Sequence, residues 1–259
     1  MKIAYLIPYY NAYDDLILTL ASLTEGIDVV IVDDGSVTPL MDIFDVSAYA
    51  YPIHIITAPR NLGIEGALNL GLNAMYGQYT HVARIDCGDL SAPDRIKIQS
   101  AYVNQHPDVI MVGAWARFVD SDYQPLFISE MPTTYADIQQ QMMINNMFVH
   151  PSVMMKLSAV EALGGYPTHR PAAEDYALFY DLLETGPCVN LAEPLIDYVV
   201  SQTSISSNKR TRQIISRMQV MWDHKRWHWR WGYGLCRSVM LLIVPRGVTT
   251  MLRKFIKVY

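Results

Sequence analysis

Apolar residues fall in this chain in short unbroken runs separated by segments of helical period, and that alternation sets the first expectation of its fold. Ile3-Ala4-Tyr5-Leu6-Ile7 reads as a strand covered on both faces, and Val29-Val30-Ile31-Val32, Ile53 to Thr57 and His81 to Ile85 read as the next three strands. Between the first two, a helix capped at Asp14 or Asp15 places Leu16, Leu20 and Leu23 on one side. After Arg60-Asn61-Leu62-Gly63, the stripe Ala67, Leu68, Gly71 and Leu72 marks a second helix, whose small residues let it lie close to a sheet. Ser91-Ala92-Pro93-Asp94 opens a third, running to Gln105. The order β-α-β-β-α-β-α predicts a mostly parallel sheet with helices on its faces.

The pattern changes in the second half. Val109 to Val119 is strand-rich and is turned by Asp120-Ser121-Asp122, and Thr134-x-x-Asp137 caps a helix ending near Ile144. Asn146 to Ser152 is a polar loop, Val153 to Leu157 a strand, and Ala159 to Leu163 a short helix stopped by Gly164-Gly165. A helix begins with Glu174-Asp175 and runs through Leu183, and Leu195 to Val200 is a late strand. Residues 201–208 read as a polar linker and Thr211 to Lys225 as a further helix.

Charge divides the chain where the pattern does. From Lys209 onward there are twelve Lys or Arg against one acid, Asp223, a net +11, which leaves −16 for the rest of a chain whose formal net charge is −5. The whole-chain charge excludes a general nucleic-acid binder, and 51% hydrophobic with 17% charged residues excludes a disordered chain. The three cysteines, Cys87, Cys188 and Cys236, are widely spaced without a C-x-x-C pair, so neither a disulfide framework nor a zinc site is expected. Met1-Lys2 leads straight into the first strand, without the apolar region of a signal peptide. No run approaches the roughly 20 apolar residues of a spanning helix, the longest being 239–244 before Pro245. In the tail, Trp222, Trp227, Trp229 and Trp231 alternate with Lys225, Arg226 and Arg230. Such interleaving stacks on single-stranded nucleic acid or sits at a membrane interface. The apolar run 239–244 and Phe255-Ile256 favour the membrane, where they supply insertion area.

Candidate chemistry gathers at strand ends. The first strand ends on Pro8-Tyr9-Tyr10-Asn11, the second on Asp33-Asp34-Gly35-Ser36 and the fourth on Arg84-Ile85-Asp86-Cys87-Gly88-Asp89. In open α/β sheets the carboxyl ends of strands face the ligand crevice, where carboxylates hold a hard cation against phosphate. Glu174-Asp175 occupy the first turn of a helix, where the macrodipole stabilises acids and where a base can be aimed into a cleft. Neither G-x-G-x-x-G nor G-x-x-x-x-G-K-[ST] follows the first strand, so dehydrogenase and P-loop readings lose their support. A nucleotidyltransferase would need a glycine-rich basic loop where Tyr9-Tyr10-Asn11-Ala12 stands.

In this order the motifs resemble those of bacterial family 2 glycosyltransferases of the GT-A fold, over roughly residues 1–206. Pro8 to Asn11 and Val30 to Ser36 are similar to the family's nucleotide-binding strand ends, Asn61-x-Gly63-x-x-x-Ala67-x-Asn69-x-Gly71 to its helix, and Asp86 to Asp89 with Pro93-x-Arg95 to its D-x-D-type element. His150-Pro151-Ser152, Gly164-Gly165-Tyr166 and Glu174-Asp175-Tyr176 resemble its acceptor half. The resemblance implies an α/β fold of GT-A type with a C-terminal helical appendage: a domain over 1–208, divided into a nucleotide-binding half (1–105) and an acceptor half (106–208), and a basic tail over 209–259.

It also implies inverting transfer of a sugar from a nucleotide-diphosphate donor, a UDP-sugar foremost, to a saccharide or lipid-linked acceptor in cell-surface polysaccharide or lipopolysaccharide synthesis. Pro8, Tyr10, Asn11, Asp33, Asp34, Asn61, Gly63, Arg84 and Asp86 would bind the nucleotide. Asp175, or alternatively Glu174, would be the base. Mg2+ or Mn2+ would sit at Asp86 and Asp89. Gly88 stands where the family commonly carries another acid, so cationic Arg84 or His150, on the acceptor or diphosphate side, could instead balance the leaving diphosphate. Gly88 also keeps open a non-catalytic nucleotide-sugar binder or scaffold subunit. The tail would place the protein on the cytoplasmic face of the inner membrane, with no nucleic-acid partner.

Overall fold

The structure is a computed structural model that describes residues 1–200 and 210–243. The four predicted strands of the first half are β1 (Ile3–Tyr9), β2 (Asp28–Asp33), β3 (Ile53–Thr57) and β4 (His81–Arg84), paired in parallel in the order β3-β2-β1-β4. The strand pleat sends alternate residues to opposite faces. Leu6, Val30, Val32 and Val82 meet Ala67, Leu68 and Leu72 of α3 (Ile64–Met75). Tyr5, Ile7, Val29, Ile31 and Ala83 meet Leu16 and Leu20 of α1 (Tyr13–Ser22). An apolar residue is thus required at every position of these runs. A short helix, α2 (Leu40–Ile43), follows β2, and α4 (Arg95–Gln105) completes the first half.

The second half mixes directions. Among the described residues the nine-stranded sheet continues β4-β8-β6-β9-β5, with β7 on β6. Here β5 is Leu90–Ser91, β6 Met111–Val119, β7 Pro125–Ser129, β8 Met154–Lys156 and β9 Cys188–Val199. Strand β8 runs antiparallel to β4 and β6, whereas β6 and β9 are parallel. The parallel order predicted for the sheet therefore holds across its first four strands. The late strand begins at Cys188, seven residues before its predicted start, because β9 crosses a register shift at Ala114 to Ala116 that accommodates Pro194. Strand β7 pairs with β6 after a turn in which Asp120 Oδ1 accepts from the N–H groups of Asp122 and Gln124, each at 2.9 Å.

Helices α5 (Tyr135–Met142), α6 (Leu157–Ala162) and α7 (Glu174–Thr185) cover this half. Thr134 caps α5, its Oγ1 accepting from Asp137 N at 3.2 Å. Two helices then pack together, α8 (Arg210–Asp223) and α9 (Trp229–Ile243). No helix among the described residues is long and apolar enough to cross a membrane. The linker over 201–208, the boundary at 208/209, and Phe255-Ile256 with the rest of the tail after residue 243 lie outside the described residues.

Candidate active site

The carboxyl ends of β1, β2 and β4 open on one edge of the sheet. Asp33 ends β2 fully buried, with Oδ1 accepting from Ser36 N at 3.0 Å and Oδ2 from Leu40 N at 2.8 Å, the bond that starts α2. Asp34 Oδ1 accepts from Leu62 N at 2.7 Å and its Oδ2 from Gly63 N at 3.0 Å. Burial raises the Asp34 pKa, against the two backbone donors that lower it. Each oxygen thus accepts one backbone N–H from the two loops that frame the crevice, and a carboxylate oxygen has a second lone pair beyond that bond. Those loops carry exposed Asn61 and half-buried Gly63, the latter at φ +81° as the cap of α3. Across from them, Tyr10 is half exposed and Asn11, at φ +49°, is pinned by Ser36 Oγ at 3.0 Å and by Val37 N at 2.9 Å. Pro8 offers its carbonyl to Cys87 Sγ at 3.3 Å.

Arg84 lies under this crevice and not in it. It is fully buried, its guanidinium donating to the carbonyls of Leu6 and Ile85 and forming an ion pair with Asp86 Oδ1. The direct nucleotide or diphosphate contact expected of Arg84 is therefore replaced by a supporting one: it holds Asp86. Burial acts to raise the Asp86 pKa, and the Arg84 charge outweighs it, leaving the carboxyl below its usual range. Arg95, also fully buried, braces the strand end by donating to the Arg84 carbonyl at 2.8 Å and the Val153 carbonyl at 3.3 Å. The turn Asp86 to Asp89 closes through Gly88, at φ +95°, whose N–H donates to Thr19 Oγ1 at 2.8 Å. Asp89 is buried with Oδ1 accepting from Val199 N at 2.9 Å and Oδ2 unpartnered. Burial, together with the neighbouring Asp86 charge, raises its pKa.

The acid pair of α7 completes the site. Asp175 is half-buried, with Oδ2 accepting from Asn146 Nδ2 at 2.9 Å and Oδ1 from Tyr176 N at 2.7 Å. Glu174 is buried and its Oε2 has no partner. Burial raises both pKa values, and the Asp175 charge adds to the shift of Glu174. The charge of Asp86, at the end of β4, adds a smaller upward push to both. His150 Nε2 pairs with Tyr166 Oη at 2.8 Å, and burial with the Arg84 charge pushes its pKa down to about 3. That shift favours the neutral ring, against which a bound diphosphate would act.

Four supporting residues had no role assigned from the sequence. Asn146 holds Asp175, Thr19 ties α1 to the Asp86–Asp89 turn, Tyr166 orients His150, and Asn69 fixes Tyr166 by exchanging bonds of 2.8 and 2.7 Å with its backbone. Asn69 and Tyr166 stood within the motifs quoted above; Asn146 and Thr19 carried no signal of their own. The partner segment of Asn69 contains Gly165, where an added Cβ would lie 2.4 Å from Asn69 Oδ1.

The fold that unites these groups is shared with GT-A glycosyltransferases. A complex of Staphylococcus aureus TarS 1-349 with UDP-GlcNAc superposes with TM-score 0.67 at 16% identity, covering 85% of this chain and 65% of that one. A Pyrobaculum calidifontis mannosyltransferase, PcManGT, in complex with GDP-Man and Mn2+ superposes with TM-score 0.62 at 16% identity, covering 98% and 79%. In sequence, the family model for glycosyl transferase family 2 matches residues 5–164. The amylovoran biosynthesis glycosyltransferase AmsE of Erwinia amylovora is 29% identical over 74% of this chain and 72% of its own length. An Escherichia coli UDP-Gal:alpha-D-GlcNAc-diphosphoundecaprenol beta-1,3-galactosyltransferase is 24% identical over 88% and 83%. The chain belongs to glycosyl transferase family 2.

Proposed function

We propose that this chain transfers a hexosyl or N-acetylhexosaminyl group, with inversion, from a UDP-sugar to a hydroxyl of a saccharide or lipid-linked acceptor in cell-surface polysaccharide or lipopolysaccharide synthesis. The observation that carries this reading is the match of residues 5–164 to glycosyl transferase family 2, in a chain that also carries Asp86 just past the end of β4 and the Glu174-Asp175 pair at the start of α7. Asp175 takes the acceptor proton as the oxygen attacks the anomeric carbon from the side opposite the diphosphate. A carboxyl whose pKa is raised, yet which is held by two donors, suits that work, because the hydroxyl becomes acidic only as the bond forms. Tyr10, Asn11, Asn61 and Gly63 line the nucleotide side, on loops that Asp33 and Asp34 hold in shape. The same intact acid pair favours turnover over a non-catalytic binder.

For a divalent cation the acids that follow β4 are the candidate ligands, with Arg84 already on one oxygen of Asp86. Asp86 and the unpartnered Oδ2 of Asp89 supply hard oxygen, and no group of three or more His, Cys, Asp or Glu converges among the described residues. Asp86 and Asp89 would hold Mg2+ or Mn2+, with the diphosphate and water supplying the remaining ligands. Bound there, the cation would offset the charge growing on the leaving diphosphate. Purified protein mixed with UDP-glucose, UDP-galactose, UDP-GlcNAc, UDP-GalNAc and GDP-mannose tests the reading. One UDP-sugar is expected to raise the unfolding temperature and release UDP, both more strongly with Mn2+ than with excess chelator. Stabilisation by none of the five rejects the donor class; full activity in chelator rejects the cation.

The tail would bring the protein to the cytoplasmic face of the inner membrane. Its inner side packs on the domain, through Arg170–Asp223 at 2.5 Å and Arg226–Glu184 at 3.4 Å. Its outer side leaves Trp222, Trp227 and Trp229 exposed, with Lys225 4.0 Å above the Trp227 ring. An apolar groove of about 740 Å³ runs between α8 and α9 beside Met218, Trp222, Leu235 and Val239. Full-length protein is expected to sediment with phosphatidylglycerol vesicles at low salt and less so at 0.5 M salt, because cations over rings meet anionic headgroups. Equal recovery with neutral vesicles would count against it.

A further inference from the structure

The acid pair is held from outside the crevice. Asn146 donates from Nδ2 to Asp175 Oδ2 at 2.9 Å, and its own Oδ1 accepts from Phe148 N at 3.1 Å, which fixes the amide with its donor side toward the carboxylate. Asn146 sits in the segment after α5, which the helices of the tail grip at two places, while α7 holds the last residue of α5. Arg217 of α8 donates to Asn145 Oδ1 at 2.9 Å and to Ser238 Oγ of α9 at 3.2 Å. Gly234 of α9 lies so close that an added Cβ would stand 2.6 Å from the Met143 carbonyl and 2.9 Å from Ile144 Cα. Tyr176, next to Asp175 on α7, donates its hydroxyl to the Met142 carbonyl.

We propose that Asn146 is a positioning residue for Asp175, and that α8 and α9 hold it there through Arg217 and Gly234, so that the C-terminal helical pair is a working part of the active site. This rests on Asp175 being the base. A carboxylate that accepts from a fixed amide keeps one orientation and its charged form is favoured; without the donor it turns, and burial acts on it with less opposition. The other charged or titratable groups that act on or feel Asp175 are Glu174 and Tyr176 on its own helix, Asp86 at the end of β4, Tyr166 before α7 and Tyr198 on β9. Of these only Tyr176 donates to its carboxylate, through its backbone N–H to Oδ1 at 2.7 Å, which leaves Asn146 as the side-chain donor to Oδ2.

Carboxyl-13C NMR of full-length protein labelled at aspartate reads the base directly, without needing a donor, with Asp175→Asn assigning the resonance. In Asn146→Ala, and in the isosteric Asn146→Asp, the Asp175 titration is expected to move to higher pH, because the lost amide stabilised the charged form. Arg217→Ala is expected to move it in the same direction by a smaller amount. In release of UDP from the sugar nucleotide selected above, kcat should fall on the order of tenfold in Asn146→Ala, with the acidic limb displaced the same way and UDP affinity unchanged. An unmoved Asp175 titration in folded Asn146→Ala and Asn146→Asp overturns the positioning role. A normal titration in Arg217→Ala overturns the part given to the helices. Normal turnover in Asp175→Asn, with the Asn146 titrations displaced as expected, overturns the assignment of the base and leaves the contact standing.

Discussion

Asp175→Asn is expected to lower the rate of sugar transfer by on the order of 10² or more while UDP binds as before. The substitution keeps the shape of the side chain. It keeps one oxygen, enough for one of the two donors that hold the carboxylate at 2.9 and 2.7 Å, and sets an amide NH2 against the other, so the fold of the variant is checked by its unfolding temperature beside the rate. What it removes is the capacity to accept a proton as the acceptor oxygen attacks, and that loss appears in kcat and not in nucleotide affinity. Glu174→Gln is the comparison. Glu174 is buried and its Oε2 reaches neither partner nor solvent, so its variant should retain most of the rate. If the two variants behave the other way round, the base is Glu174; if both turn over normally, neither acid of α7 is the base.

The parallel half of the fold was legible because β1 and β2 are covered on both faces, and a strand in that position admits no polar residue along its run. Strand β9 was only half legible. Asn190, Glu193 and Pro194 interrupt its apolar pattern, and what keeps the strand continuous is the register shift opposite Trp115, a property of its partner β6. Helix α2 left no periodic signal in four residues; it forms because Asp33 receives the Leu40 N–H.

The candidate site divides in the same way. Residue types and their order placed Asp86 and Glu174-Asp175, but sequence does not say which way a strand side chain turns. Arg84 could be read as facing a phosphate and instead runs beneath the strand end to Asp86. His150 could be read as a cation, while burial beside Arg84, which sequence does not show, lowers its pKa. Asn146 was one polar residue in a polar loop, with nothing in its neighbours to mark it. Its importance comes from α7, thirty residues on, and from α8, seventy residues on. In general the acids that end strands were visible, while the groups that hold those acids were not, because support is a tertiary property.

Gly35→Ala should be the most damaging single-methyl change at the nucleotide end. Gly35 follows Asp34 at φ +69°, and a Cβ there would stand 2.4 Å from Arg60 C, 2.6 Å from Asn61 N and 2.8 Å from Arg60 Cα. All three are backbone atoms, which no rotamer change can move aside. A left-handed conformation costs a non-glycine residue about 1–2 kcal/mol, and forcing extra volume into a packed contact adds about 1–3 kcal/mol. The sum is a large share of the roughly 5–15 kcal/mol that holds a domain folded. The strain also falls where Asp34 binds the N–H groups of Leu62 and Gly63, so pushing the loops apart should weaken UDP binding as well. Gly77→Ala separates the two effects, because Gly77 has φ +73° but nothing within 4 Å of its would-be Cβ. In urea unfolding, Gly77→Ala should lose only the conformational part and bind UDP normally, whereas Gly35→Ala should lose more stability and bind UDP more weakly. Equal losses in the two variants, with equal UDP affinity, would mean that the close approach of the 34–37 and 60–63 loops does not shape the nucleotide site.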